Sequence, residues 1–203
     1  MARPRQHLAY PGPVIPDVAD EIAADPDNAW ATALGYRPVF VASPGARIVI
    51  IGQAPGRAAQ ESGIPFTDAS GARLIEWLGV DEATFRDPDR FAVLPMDFYY
   101  PGKGAEGDLP PRPGFADRWH PRILAQLPDV RLTLVLGDHA QRHVLGAQRK
   151  RTLTDTVRAY REYLPRFPLP HPSPLNFRWQ ARNPWFMDEV VPALQDAVAA
   201  ALA

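Results

Sequence analysis

A chain of 203 residues with 46% hydrophobic and 22% charged residues has the composition of a soluble globular protein, long enough for one domain with its own core. Its formal net charge of −1 excludes the global basic field with which many proteins hold nucleic acid or an anionic membrane, so a polyanionic partner must meet a local patch. The absence of cysteine excludes disulfides, a thiolate nucleophile and cysteine-ligated zinc or iron–sulfur clusters.

The N-terminal segment, residues 1–16, is rich in proline and is predicted to be a loose arm. Proline interrupts it before any apolar stretch of signal-peptide length, and no other run approaches the roughly 18 apolar residues of a membrane span. We therefore expect one cytoplasmic domain over residues 1–203, monomeric and without a membrane partner. Residues 17–34 have helical spacing, interrupted at Asp25-Pro26.

Strands and helices are predicted to alternate along the rest of the chain. Apolar, β-branched runs predict buried strands at 46–52, 90–95, 132–137 and 166–170. Apolar residues at helical spacing, with capping residues, predict helices at about 69–79, 115–127, 138–146, 152–164 and 183–202. We expect Pro184 in the first turn of the last helix and a kink at Pro192. The alternation predicts an α/β fold with a mainly parallel, four-stranded sheet covered on both faces.

Three unusual loops follow predicted strands: GQAPG at 52–56, MDFYYPG at 96–102 and HPSPLN at 171–176. In the last loop His171 and Ser173 each precede a proline, which restricts both residues to extended conformations and holds their side chains still. Open parallel sheets bind ligands at the carboxyl ends of their strands. We therefore expect the three loops to converge on one site.

GQAPG, then PFTDASG at 65–71, then HPSPLN resemble in order and spacing the signature loops of the uracil-DNA glycosylase superfamily, and together they span most of residues 46–180. The resemblance implies a three-layer α/β/α sandwich that flips a uracil nucleotide out of DNA and hydrolyses its N-glycosidic bond. It implies a DNA repair enzyme that leaves an abasic site and uses no metal and no cofactor. The chain would be a cysteine-free member without the iron–sulfur cluster of some branches.

Glycosidic cleavage makes an oxocarbenium-like sugar and an anionic base, so it needs a donor aimed at the uracil oxygen where charge develops. His171 in its rigid loop is the candidate donor, acting as a neutral imidazole on O2. Phe66 matches the position where the family stacks an aromatic ring on the flipped base. The competing interpretations are a histidine bonded to backbone and an ordinary buried phenylalanine.

The first loop departs from much of the family. Gly52, Gln53, Ala54 and Pro55 are candidate substrate-binding residues, but Ala54 stands where several branches have an Asp or Asn that positions the attacking water. Gln53 can bond a uracil edge or a water but cannot act as a base, so a carboxylate must come from elsewhere. Gly56 stands where the most selective branch has a tyrosine that excludes the thymine methyl, which suggests a wider substrate range.

Two carboxylates are candidates. Asp68 resembles the catalytic aspartate of one branch and is the preferred water or cation partner, although it can equally be the N-cap of the next helix. Asp97 lies where the family commonly has an asparagine that reads the uracil edge. As a carboxylate it can accept from uracil N3–H or hold the water, and the sequence does not decide between these roles.

DNA contacts are expected at the mouth of the site. Leu175 matches the apolar wedge that fills the gap left by a flipped nucleotide, or is a plain loop leucine. Asn176 can bond the sugar-phosphate or cap a turn. Phosphate contacts are expected from basic and small polar residues: Arg57, Arg73, Lys103, Ser173, Arg178 and Arg182. The basic cluster 148–152 is interpreted as a solvated surface, and the pair His139 and His143 is not expected to bind metal.

The sequence therefore predicts a monofunctional uracil-DNA glycosylase with His171 as electrophile, Phe66 as stacking platform and Asp68 as the water or cation partner. Two alternatives stay open. One is a non-catalytic binder of uracil-containing or abasic DNA, which Ala54 makes plausible. The other is an N-glycoside hydrolase of free nucleosides or nucleotides, consistent with the near-neutral net charge.

Overall fold

The computed structural model describes residues 15–105 and 107–203. The strands in chain order are β1 (Ile48–Ile51), β2 (Phe91–Val93), β3 (Lys103–Gly104), β4 (Gly107–Asp108), β5 (Leu132–Leu136) and β6 (Arg166–Leu169). The α-helices are α1 (Pro16–Ala24), α2 (Ala29–Ala33), α3 (Arg57–Ser62), α4 (Ala69–Leu78), α5 (Glu82–Arg86), α6 (Phe115–Leu124), α7 (Gly137–Leu145), α8 (Leu153–Arg158), α9 (Phe177–Arg182) and α10 (Val191–Leu202).

The central sheet has four parallel strands in the order β2-β1-β5-β6. All four residues of β1 are buried, as expected for a parallel strand that is covered on both faces. The prediction of a mainly parallel four-stranded sheet is confirmed. Strands β3 and β4 form a separate antiparallel pair of two residues each, too short for a sequence pattern to predict.

The two faces of the sheet carry two hydrophobic clusters, which follow from the alternation of side chains along a strand. Ile48 and Ile50 of β1 pack on one face, against residues of α4, α8 and α10. Val49 and Ile51 pack on the other face, against residues of α1, α6 and α7. Helices therefore cover both sides of the sheet, which confirms the three-layer α/β/α architecture.

The predicted helices form with some changes of boundary. The helix predicted for 115–127 ends at Leu124, although Pro121 lies within it. The C-terminal helix contains a π-helical turn at Phe186–Val190, after which Pro192 lies in the first turn of α10. Residues 185–202 are helical without a break, so the π-helical turn directly before Pro192 is a distortion of the middle of this helix, as the missing N–H of a proline favours. None of the described helices is long and apolar enough to cross a membrane.

The N-terminal helices belong to the core. The helical spacing of 17–34 is confirmed by α1 and α2, which a 3₁₀ turn at Pro26–Asn28 separates where Asp25-Pro26 interrupts the pattern. Most of the predicted arm, residues 1–14, lies outside the described residues. Its last two residues do not belong to an arm, since Ile15 is buried in the second cluster and Pro16 begins α1.

Candidate active site

A pocket of about 390 Å³ lies at the carboxyl ends of the strands. At this edge of the sheet the chain leaves β1 to form β2 on one side of β1, and later forms β5 on its other side. The three predicted loops converge there. The pocket is lined by Gly52, Gln53, Ala54, Pro55, Gly56, Ala59, Pro65, Phe66, Asp68, Ser70, Val93, Pro95, Pro101, Gly107, Asp108, His171, Ser173 and Leu175. We call it the base pocket.

The first loop forms the floor of the base pocket and is tied to the second loop by backbone bonds. Met96 N–H donates to the carbonyl of Gly52 over 2.8 Å, and Asp97 N–H donates to the carbonyl of Gln53 over 3.2 Å. Ala54 lines the pocket but brings no polar side-chain atom. The Gln53 amide makes only a long bond of 3.4 Å to the Leu109 carbonyl, so its side chain can rotate to a ligand.

Phe66 lines the base pocket with an unusual backbone. Its φ is +55°, a left-handed conformation that costs a residue with a Cβ about 1 kcal/mol or more. The Phe66 ring lies close to Gly52, since a Cβ built on Gly52 would be 4.0 Å from Cζ of Phe66. The edge of Phe85 supports the ring, with the ring centroids 6.2 Å apart. Phe66 is thus a supported, half-buried aromatic wall rather than a core phenylalanine.

Arg86 stabilises this strained turn, a contact that no motif in the sequence indicates. Its guanidinium donates to the carbonyl of Pro65 over 2.6 Å and to the carbonyl of Phe66 over 2.8 Å. The Arg86 side chain is only 15% exposed, so the two bonds form largely away from water. Gly71 has no side chain, which allows the Phe66 carbonyl to lie close to it. A Cβ on residue 71 would overlap the Phe66 carbonyl oxygen and lie 2.7 Å from the Phe66 carbonyl carbon. The strain is therefore held by contacts from two helices.

His171 faces the base pocket in a defined protonation state. Its Nδ1 accepts a bond of 3.2 Å from the backbone N–H of Ser173, so the proton of the neutral ring lies on Nε2. Burial lowers the pKa of His171, while the negative charge of Asp68 opposes that shift, and the net effect keeps the imidazole neutral at pH 7. The Asn176 side-chain amide donates to the His171 carbonyl over 2.7 Å and braces the loop.

Asp68 is the N-cap that the sequence allowed, and it also lines the base pocket. Its Oδ1 accepts from the backbone N–H groups of Ser70 and Gly71, over 3.0 and 3.2 Å, so it is the N-cap of α4. It also lines the base pocket, and its charge acts on His171. Both capping bonds use one carboxylate oxygen, which leaves the other for a ligand or water.

Asp97 does not belong to the base pocket, so its predicted role in reading uracil is not supported by its position. It is 1% exposed, and Arg112 bonds both of its oxygens, over 2.7 and 2.9 Å. The backbone N–H groups of Tyr99 and Arg112 add two further bonds. Arg112 also reaches the Asn28 side chain over 2.7 Å. The carboxylate therefore joins the second loop to the N-terminal helices and has no acceptor left for a base.

The rim carries exposed apolar and basic side chains. Leu175 is 83% exposed and Phe177 is 58% exposed, which fits the predicted wedge and adds an aromatic neighbour that the sequence analysis missed. Arg178 and Arg182 are exposed on α9, beyond the pocket lining. Ser173 lines the pocket, and its hydroxyl accepts from the Leu175 N–H. These residues are exposed around the mouth of the pocket or lie within its lining.

The other basic candidates form hydrogen bonds or ion pairs within the protein. Arg73 donates to the Ser173 carbonyl over 3.3 Å, so it braces the histidine loop from below. Lys103 lies 3.7 Å from Asp108. In the cluster 148–152, Lys150 is exposed and pairs with Glu162, but the Arg149 side chain is only 14% exposed and pairs with Asp138, so the cluster is a solvated surface only in part.

His143 contacts His120 and Asp117. Its ring packs edge-on against that of His120, with centroids 5.8 Å apart, and its Nδ1 lies 3.5 Å from Asp117. His120 is buried and its Nε2 bonds the Pro95 carbonyl over 2.8 Å, behind the wall of the base pocket. Burial lowers the pKa of His120 to about 4, so it is a neutral structural donor.

Comparison with protein-family models matches residues 39–195 to the family described as the Uracil DNA glycosylase superfamily. The match covers more than half of the chain and includes all three loops of the base pocket. It agrees with the parallel sheet, with the convergence of the loops and with the neutral histidine at their meeting point. The protein therefore belongs to the uracil-DNA glycosylase superfamily, which holds DNA glycosylases that remove uracil or other damaged bases.

Proposed function

We propose that the protein is a monofunctional DNA glycosylase that hydrolyses the N-glycosidic bond of uracil in DNA and leaves an abasic site. One observation carries the proposal: the Nδ1 of His171 is occupied as an acceptor, which makes Nε2–H the donor of a neutral imidazole in a pocket walled by Phe66. A pocket of this kind suits a planar base whose oxygen becomes negative during the reaction.

Each pocket residue has a task in this reaction. The flipped base stacks on Phe66, and the stacking offsets part of the cost of extrusion. As the glycosidic bond breaks, Nε2–H of His171 donates to the base oxygen that gains charge. His171 is already neutral and its ring is braced through Ser173 and Asn176, so little reorganisation is needed at that moment.

Asp68 supplies the carboxylate in this proposal. Its oxygen that makes no capping bond stabilises the cationic sugar or orients the attacking water. Asp68→Asn separates this task from helix capping, because asparagine caps a helix about as well as aspartate. We expect Asp68→Asn to lose most of the activity with little change in stability. Thr152→Ala is the matched control: it removes the N-cap of α8, a helix that contributes no residue to the lining of the base pocket, and should lose stability alone.

If Asp68→Asn keeps wild-type activity while Asp68→Ala loses about 1 kcal/mol of unfolding free energy, Asp68 is a cap and nothing more. The attacking water would then be held by backbone groups or by Gln53.

The experiment that tests the function uses a labelled oligonucleotide with one uracil, as a single strand and opposite G or A, followed by alkaline cleavage of abasic sites. We expect wild type to release uracil and His171→Ala to lose at least about a hundredfold in kcat with a smaller change in DNA affinity. His139→Ala, which removes an exposed histidine on α7, is the control and should behave as wild type. No cleavage of any of the three substrates with enzyme in excess would refute the uracil proposal.

A second candidate is a non-catalytic binder of uracil-containing or abasic DNA. Ala54 favours it, because this pocket position brings no side-chain atom that could hold water. A stable complex with uracil-containing DNA, formed without release of uracil by wild type and by Asp68→Asn alike, would select the binder over the enzyme.

A wider range of bases is part of the enzyme proposal. Gly56 lines the base pocket, and a Cβ placed there would meet no atom within 4 Å. Its φ of −73° is open to any residue. We expect Gly56→Tyr to lower excision of hypoxanthine, xanthine or thymine more than excision of uracil, which a panel of oligonucleotides with one modified base measures as a ratio of rates.

A further inference from the structure

A second cavity lies beside the base pocket, with a volume of about 710 Å³. We call it the side cavity. The two share Pro101 as a common wall, and the first loop runs from one to the other, since Gly56 lines the base pocket and Arg57 lines the side cavity. The side cavity is therefore within reach of a nucleotide that neighbours one bound in the base pocket.

The walls of the side cavity are aromatic and partly open to solvent. Trp30 is 43% exposed, and its ring meets the ring of Tyr99 edge-on with centroids 5.8 Å apart. Tyr100 forms another wall, and the side chains of Leu34 and Leu109 are 65% and 44% exposed. Exposed aromatic and apolar groups gathered in one concavity indicate a binding site rather than scattered surface residues. Aromatic walls of this kind are platforms on which unpaired bases stack.

A cation lies at the same place. The guanidinium of Arg57 is 5.8 Å from the centroid of the Tyr100 ring, and Arg57 forms no ion pair among the described residues. Arg112 also lines the side cavity, but its charge is matched by Asp97. The wall contains two acidic residues, Asp97 and Glu61, and of these only Asp97 forms an ion pair with Arg112. Arg57 is thus placed to meet a phosphate next to a base stacked on Tyr100.

We propose that the side cavity binds an unpaired base from a nucleotide flanking the uracil, which makes single-stranded DNA the favoured substrate. The proposal rests on the proposed function and names its substrate class. In a duplex the flanking base is held by its partner strand, so it reaches Trp30 and Tyr100 only when it is unpaired. A protein partner in this cavity would cover the rim that the DNA strand must cross, so the shared wall favours DNA as the occupant.

The test measures the affinity of short single-stranded and duplex oligonucleotides without uracil by fluorescence anisotropy. We expect Trp30→Ala and Tyr100→Ala to weaken single-strand binding about fivefold to a hundredfold, with a much smaller effect on the duplex. Leu34→Ala should weaken it less, and Leu164→Ala, which removes a comparably exposed leucine outside the cavity, should leave it unchanged. Arg57→Gln, a surface change that does not depend on core packing, should lower the slope of log affinity against log salt by about 1.

The outcomes separate the side cavity from the proposed function. Binding of a strand that lacks uracil does not require glycosylase activity, so loss of that binding in Trp30→Ala supports the side cavity even if no uracil is ever released. Uracil release by wild type together with unchanged single-strand binding in Trp30→Ala, Tyr100→Ala and Arg57→Gln overturns it, and leaves the cavity to a protein partner. Equal losses on single strand and duplex also overturn it, because they indicate backbone contacts without an unpaired base.

Discussion

The sharpest structural prediction concerns Arg86→Met, which removes the guanidinium and keeps a long apolar side chain. The change deletes two bonds from a charged donor to backbone carbonyls, over 2.6 and 2.8 Å, at a side chain that is 15% exposed. Bonds to charged groups contribute about 1.5 kcal/mol each at the lower end of their range. Relaxation of Phe66 from its left-handed backbone would return about 1 kcal/mol. We therefore expect a net loss of about 2 kcal/mol in the free energy of unfolding.

The same relaxation should move the aromatic wall of the base pocket. Stacking of a base on an aromatic side chain contributes about 1–3 kcal/mol, so on the proposed function kcat/KM for uracil release should fall at least about fivefold. Urea unfolding followed by tryptophan fluorescence gives the stability, and excision from a single-stranded oligonucleotide gives the activity. Both are measured at a temperature at which the variant is folded.

Arg90→Met is the control for Arg86→Met. Arg90 follows α5, its side chain is 50% exposed, and it pairs with Asp87 over 3.1 Å without touching Phe66. A surface pair of this kind contributes at most about 1 kcal/mol, so the control should be nearly as stable as wild type and fully active. The reasoning is refuted if Arg86→Met is no less stable than Arg90→Met, or if it is folded and releases uracil at the wild-type rate.

Further predictions concern the packing behind the base pocket. Gly71→Ala should lose about 2 kcal/mol or more of unfolding free energy in urea because its Cβ overlaps the Phe66 carbonyl. Gly56→Ala, with open space around it, should lose no more than about 1 kcal/mol, because alanine is a poorer N-cap for α3 than glycine. The pKa of His120 falls from 6.5 to about 4 on folding. As the pH is lowered, His120 therefore binds a proton in the unfolded chain before it does so in the folded protein, and stability is lost between pH 6.5 and 4. This contribution amounts to about 3 kcal/mol, and denaturant unfolding across that range should show a smaller loss by about that amount for His120→Gln than for wild type, because the lowered pKa of His171 still contributes to both. An equal pH dependence in the two proteins would exclude His120 as its source.

The parts of the fold that were predictable depend on local patterns. The four consecutive aliphatic residues of β1 can be buried on both sides only in a covered parallel strand, and the prolines around His171 restrict its loop wherever it lies. Short elements were not predictable, because α3, α5 and α9 have five or six residues and so present less than two turns of periodicity.

The contacts at the site that the sequence did not predict have a tertiary cause. Asp97 stands at a strand end and was left open between reading the uracil edge and holding the water, but its observed contacts depend on Arg112, which lies 15 residues further on. The carbonyl of Phe66 is held by Arg86 from 20 residues away, and neither a charge pattern nor a motif indicates that contact. Asp68 was predictable only as two alternatives, and the structure shows that a residue can fill a cap and line a pocket together.

Arg112, which bonds Asp97, also bonds an N-terminal residue, so the folded domain requires residues that precede the family match. The family match starts at residue 39, yet Asn28 bonds Arg112, and Ile22 and Ala31 are fully buried in the cluster beneath β1. A fragment that begins at residue 39 would expose one face of the sheet, and the Arg112 guanidinium would lose its hydrogen bond to Asn28. Expression from residue 39 should therefore give insoluble or unfolded chain, and a minimal stable domain must include α1.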